Sequence, residues 1–411
     1  MSIRIGLLPQ VATAHWVSHL HIMALAALFP VLPQLFAVGY VELGLALSIF
    51  NIVTALVQAP MGYAVDHYGG RRVLIAGVAL GSFSFLLIAL FPTYTWLLIA
   101  MALAGVANAV YHPADYALLA QGIAPAHMGK AFSVHTFAGF LGAAIAPVFL
   151  LGVATASEPR LAFAAAALAG FAALALLLVP GSGITRVRPL HAEPSALGNS
   201  SGTDGARPRS LLSPMILTLT VLFVLLNLST SAIEKFSVAS LMQGQGATLP
   251  WANSALTAFL FASAFGVLCG GALADRTKRH GVVAASAFGL AALLTALVAT
   301  ASLSGLALTI TLGITGFLTG VIAPSRDMLV RAASPKGAEG KTFGIVSTGF
   351  NIGGAVGPIG FGWLLDHGHP NGIFWASVAF MSLTVVLTLM QEWYLSRFRT
   401  RKDPVLCVKP S

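Results

Sequence analysis

The sequence predicts an all-α integral membrane protein with twelve transmembrane helices in two pseudo-symmetric six-helix bundles, and three observations carry that prediction. Of 411 residues, 57% are hydrophobic and only 9% charged, against ~25% charged in an ordinary soluble domain, and the mean hydropathy is +0.86. Apolar stretches of about 20 residues, long enough to cross the hydrocarbon of a bilayer as helices, recur along the whole chain. One pattern of glycines, prolines and charges also occurs twice, about half a chain apart.

The stretches run near 11–37, 43–66, 73–92, 95–122, 130–154, 160–180, 214–242, 251–274, 282–301, 305–333, 341–365 and 372–395. Runs this long satisfy their backbone in lipid only as helices, whereas barrel strands would be short and alternating. Pro9 and Gln10 leave no apolar core for a cleavable leader, so the first stretch is expected to remain as a helix. Most intervening loops are short, which makes successive helices antiparallel neighbours and leaves no room for a soluble catalytic domain. The exception is 181–213, rich in Gly, Pro, Ser and Arg and expected to be a flexible cytoplasmic linker. It separates one bundle, 1–180, from a second, 214–396, and a basic tail follows at 397–411. Cys269 and Cys407 fall in different compartments of this scheme, so no disulfide is expected.

The duplication is explicit. Lys130 opens a run that ends at Pro147, and Lys341 opens a matching run that ends at Pro358, 211 residues on. The same offset lays Pro113 over Pro324 and Gly105 over Gly316, while a shift of 209 lays Gly62 and Asp66 over Gly271 and Asp275. Related halves with matching helices imply a transporter whose pathway lies between them. Gly139, Gly142 and Pro147, with Gly353, Gly354 and Pro358, are expected to let the fifth and eleventh helices pack closely and bend.

The net charge of +9 could suggest nucleic acid, but its distribution argues against that. With a cytoplasmic N-terminus, every one of the 22 Lys and Arg residues except Arg160, Lys235 and Arg326 falls in an inner loop or tail. That asymmetry places both termini in the cytoplasm of a multi-pass protein of a bacterial-type inner membrane, with membrane lipids as partners of the basic loops.

Gly62, Asp66, Gly69, Arg71 and Arg72 form a pattern after the second stretch, and Gly271, Asp275, Arg276 and Arg279 repeat it after the eighth. These resemble the loop motif of the major facilitator superfamily and its second copy, with His67 and Gly70 where Arg is usual and Lys278 in place of a Gly. Ser18 and His19, Gly62 and Tyr63 after Pro60, and Val110 to Pro113 make the N-terminal half resemble the fosmidomycin-resistance group of drug efflux proteins. The resemblance implies the major facilitator fold, alternating access, a cavity lined by the first, fourth, seventh and tenth helices, and drug efflux. Asp66, Arg71, Arg72, Asp275 and Arg276 are then gating candidates, since a carboxylate favours a helix N-terminus and Arg meets phosphate or acid.

Charge inside a bilayer costs ~2.5 kcal/mol or more unless paired or wet, so the few charged residues within the helices are informative. Asn227, Ser231 and Glu234 share a face of the seventh helix, beside Lys235, and Glu234 suits proton coupling. Asn108, His112 and Asp115 share a face of the fourth, next to the kink expected at Pro113. The tenth carries Arg326 and Asp327. The 211 offset lays Asp115 over Arg326, predicting a closing salt bridge between the halves or a substrate site, with Arg326 as an anion clamp; a static pair between Arg326 and Asp327 is the competing account. His15 and His19, one turn apart, and His135 are expected to form a wet, proton-sensitive wall, with no metal site because the first helix supplies no further ligand.

The reading is a monomeric secondary transporter without cofactor, moving a small organic anion or drug outward in exchange for protons. Proton symport of a carboxylate metabolite inward is the alternative, and a membrane receptor or scaffold the non-transport one. An enzyme is not expected, as neither Gly-x-Ser-x-Gly nor His-Glu-x-x-His occurs.

Overall fold

The computed structural model describes residues 5–124, 127–182, 214–277, 279–334 and 339–400. Thirteen helices account for nearly all of them: α1 Leu7–Ala27, α2 Leu32–Phe36, α3 Tyr40–Tyr68, α4 Gly70–Leu90, α5 Tyr94–Gly122, α6 Met128–Ala156, α7 Pro159–Leu178, α8 Pro214–Gln245, α9 Leu249–Arg276, α10 His280–Thr300, α11 Gly305–Ala333, α12 Glu339–Asp366 and α13 Gly372–Thr400. Ten of the twelve long helices contain a stretch long and apolar enough to cross a membrane, among the described residues. The other two are α1, diluted by Gln10, His15, His19 and His21, and the glycine-rich α12.

Three boundaries differ from the sequence expectation. The first stretch, expected as one helix over 11–37, stops at Ala27 and resumes as α2. Pro30 and Pro33 interrupt the backbone hydrogen bonding there, and Ala37 ends α2 in the left-handed region at φ 53°. The expected linker does not begin cleanly at 181, because Gly181 and Ser182 pair in parallel with Ile5 and Gly6 as a two-stranded ribbon, β2 against β1. Helix α13 continues to Thr400, past the point at which the basic tail was expected to start. The remainder of the linker and of the tail lies outside the described residues.

Helices α1 and α3–α7 pack on one another as one bundle, and α8–α13 as the other. The sequence repeat reappears as a repeat of contacts. Gly105 of α5 sits against the Phe50 backbone of α3, and Gly316 of α11 sits against the Phe259 backbone of α9. Gly142 of α6 abuts the Trp16 carbonyl of α1, and Gly353 of α12 abuts the Asn227 side chain of α8. In each pair a Cβ would meet the neighbour inside normal contact distance, so the small residue sets how closely the helices approach.

The bundles meet chiefly through α3 with α12 and α6 with α9, and more lightly through α1 with α8. At the end away from the chain termini, Gly44 lies against the Pro358 carbonyl and Gly362 against the Tyr40 carbonyl. There the Asp366 carboxylate, at the C-terminus of α12, accepts hydrogen bonds from the Tyr40 and Val41 N–H groups, each at 2.8 Å. A side chain of one bundle thus satisfies orphan donors at the N-terminus of a helix in the other. Glu42 completes the cap by accepting from the Gly39 N–H at 3.0 Å.

Candidate functional site

The most unusual chemistry lies inside the first bundle. Asp115 of α5 has no exposed surface, and His15 and His135 are almost as buried. In a membrane helix a fully buried carboxylate persists only where neighbours answer it. His135 of α6 places Nε2 at 3.0 Å from Asp115 Oδ2, and His15 of α1 places Nδ1 at 3.3 Å from the same oxygen. The two imidazoles stack with centroids 3.7 Å apart. His19 meets His15 edge-on at 4.7 Å, and His112 lies 5.4 Å away. Asp115 and His112, expected on one face of α5, both border this cluster, Asp115 fully buried and His112 exposed at its edge. Gly139 makes the arrangement possible, since a Cβ there would lie 2.7 Å from His15 Nε2 and 2.9 Å from the His19 ring. Asn108 is engaged elsewhere, donating to the Thr54 hydroxyl of α3 at 3.4 Å.

The second bundle handles its charge differently. The Arg326 guanidinium of α11 lies between the rings of Phe223 on α8 and Phe350 on α12, 4.9 and 5.1 Å from their centroids. Its Nη2 and Nε reach Asp327 Oδ1 at 2.8 and 2.9 Å. The expected Asp115–Arg326 bridge is therefore not formed in this conformation. Asp115 is committed to imidazoles and Arg326 to the next residue along its helix, the arrangement that had been the competing account. The following pair in the repeat, Tyr116 and Asp327, interact electrostatically across the bundles. Glu234 and Lys235 lie half-buried on α8, and neither forms an ion pair among the described residues. Asn227 leaves its Oδ1 unpaired against Gly353.

The residues picked out as gates are dispersed. Arg71 donates to Gln10 Oε1 at 3.0 Å, to the Val179 carbonyl at 2.9 Å and to the Leu177 carbonyl. It thus caps the C-terminus of α7 within its own bundle. Asp66, Arg72 and Arg276 are exposed and form no ion pair among the described residues; the Asp275 side chain lies outside them. Sequence reasoning missed Asp366. The only signals were its place at the end of an apolar run and a Gly–Tyr helix start, Gly39 and Tyr40, in the other half.

A sequence profile described as the Major Facilitator Superfamily matches residues 11–239 and 219–405. The chain belongs to this superfamily. It is accordingly a multi-pass membrane transporter and not an enzyme, and its two bundles are the two halves of the major facilitator fold. Among characterised members it is similar to the fosmidomycin resistance protein of Escherichia coli (strain K12), 24% identical over 294 residues that cover 70% of this chain and 69% of that one. It is also similar to probable anion transporter 5 of Arabidopsis thaliana, 35% identical over 128 residues, 31% of this chain and 30% of the plant protein. In fold, it matches a solved bacterial homologue of the human lysosomal transporter Spinster, in an inward-facing and occupied conformation. That match has a TM-score of 0.73 at 13% identity and covers 95% of this chain and 96% of the other.

Proposed function

We propose that this protein exports a small organic anion, or an anionic drug, from the cytoplasm in exchange for protons, across a bacterial-type inner membrane in which both termini are cytoplasmic. The observation that carries the reading is Arg326, a guanidinium held between two phenyl rings and opposed, with Asp327, to Tyr116 of the other bundle. A carboxylate or phosphonate can displace Asp327 and bind the guanidinium through two parallel hydrogen bonds. In doing so it engages both halves of the pathway at once. The similarity to a fosmidomycin resistance protein and to probable anion transporters agrees with an anion and with outward movement.

The coupling protons are carried by Asp115 with its histidines in one bundle and by Glu234 in the other. With the termini inside, the Asp366 cap closes the outer end, so this conformation opens inward. Alternating access then follows from one bundle rocking against the other. Asp66, Arg72, Asp275 and Arg276 come together when the inner end closes.

The test is counterflow in sealed proteoliposomes containing a pH-sensitive dye, using fosmidomycin and simple carboxylates as first probes. The expected result is saturable exchange of an anionic probe accompanied by opposite proton movement, reduced in Arg326→Gln. Proton movement in the same direction as the solute would establish symport instead. Exchange of lipophilic cations alone would remove the anion reading.

A further inference from the structure

We propose that His15, Asp115 and His135 form a binding site for a first-row divalent transition-metal ion, the class represented by zinc and cobalt. Their donor atoms come from three helices, α1, α5 and α6, and all lie within 4.8 Å of one another. Ligand bonds of about 2.0–2.1 Å place the donors of a tetrahedral ion about 3.3 Å apart, and the two donor distances to Asp115 Oδ2 are 3.3 and 3.0 Å. Two imidazoles with one carboxylate is a zinc-type donor set. Magnesium and calcium, which take oxygen ligands, are disfavoured by it.

The cluster also leaves lone pairs unused. Asp115 Oδ1, His15 Nδ1 and His135 Nδ1 are buried without a hydrogen-bond partner among the described residues. His15 Nδ1 is close to the carboxylate but misaligned for a hydrogen bond. Buried polar atoms of this kind call for a partner, and a cation at these donors would answer His15 Nδ1, which is both unpartnered and a ligand atom. Ligation requires the stacked rings, now inclined at 22°, to tilt until their lone pairs converge. The exposed His112, its ring 5.4 Å from that of His15, lies at the edge of the cluster as an entry point. The first helix alone gives only two histidines and so predicts no site; the fold adds the carboxylate from α5 and the imidazole from α6. An ion held there fastens three helices of the first bundle together.

The experiment is titration of tag-free, metal-stripped protein in detergent with Co²⁺ alone, followed by its visible ligand-field band, and then with Zn²⁺ by calorimetry. One ion per chain is expected, with affinity falling at least about tenfold in His15→Ala and His135→Ala and unchanged in His367→Ala, a surface histidine at the other end of the fold. Asp115→Asn, which keeps the volume of the side chain, must lose the ion in the same way and serves where an alanine variant does not fold. No cobalt band, or unchanged affinity in the folded cluster variants, overturns the proposal. Counterflow measured without added metal reports separately on transport, so a protein that exchanges anions but binds no cobalt refutes the metal site alone.

Discussion

The Asp366 cap gives a prediction that can be worked through from geometry. Two N–H donors of α3 bond to one carboxylate of α12 at 2.8 Å, and these bonds exist only while the bundles touch at that end. When the end opens, Asp366 and the helix terminus return to water. Only the net value of each bond therefore biases the equilibrium. For partly exposed groups that is about 1 kcal/mol apiece, in line with the ~1 kcal/mol cost of losing a helix N-cap. Asp366→Ala should then shift the conformational equilibrium by about 2 kcal/mol, or roughly 30-fold, toward the state open at the end away from the termini. Asp366→Asn, still an acceptor through one oxygen, should shift it by less. The assay is pulsed electron spin resonance between labels at Gln34→Cys and Thr248→Cys, exposed positions at that end of the two bundles, with Cys269 and Cys407 replaced by Ser. A longer-distance population that grows from wild type to Asn to Ala is expected. If the Ala variant gives the wild-type distance distribution, the cap does not hold the end closed.

Other consequences follow from close approach and from charge. Gly142→Leu and Gly353→Leu occupy equivalent places in the repeat and should each lower stability by about 1–3 kcal/mol in thermal denaturation, whereas Gly152→Leu, with nothing within 4 Å of its added Cβ, should not. Arg71→Met removes the cap on α7, so hydrogen exchange at 177–182 should accelerate, while Arg72→Met, exposed a residue away, should leave it unchanged. Phe223→Ala and Phe350→Ala each remove a ring face from Arg326, a contact of about 0.5–2 kcal/mol. Counterflow should show KM for the exchanged anion rising roughly 2- to 30-fold; an unchanged KM in both would separate the rings from substrate binding.

The fold was legible because its signals are local or periodic. Apolar length reports the spans, and the 211-residue offset reports which helices correspond. Even a contact could be read indirectly, since Gly142 and Gly353 are offset equivalents, as are their neighbours Trp16 and Asn227. The split of the first stretch was less legible, since Pro30 and Pro33 sit inside an otherwise apolar run. The candidate site was legible as a set of residues but not as a set of pairs. Helical spacing tells which side of α5 bears Asp115 and His112, yet not that one is buried and the other exposed. Nor does it tell that Arg71, inside a family motif, reaches the carbonyls of α7. Asp366 had no signal of its own, because its partner is a pair of backbone N–H groups that no side-chain pattern announces.

The two halves keep one scaffold while reversing its charge, and that explains why the predicted bridge is absent. Position 115 of α5 corresponds to position 326 of α11, and each is enclosed by rings from the two helices that flank it in its own bundle. Asp115 has the imidazoles of α1 and α6; Arg326 has the phenyl faces of α8 and α12. An ion already answered within its bundle gains little from a partner across the cavity, and would have to leave those contacts to reach it. Enclosure by imidazoles sets the anion among groups that can themselves carry a proton, while enclosure by phenyl rings leaves the cation with Asp327 as its charged partner. The duplicated scaffold therefore encloses opposite charges in different surroundings at equivalent places. Exchanging the charges, Asp115→Arg with Arg326→Asp, should abolish transport even though it preserves the net charge and the opposition of signs. Retention of anion exchange by a folded double variant would mean that the enclosing rings, and not only the charges, are interchangeable between the halves.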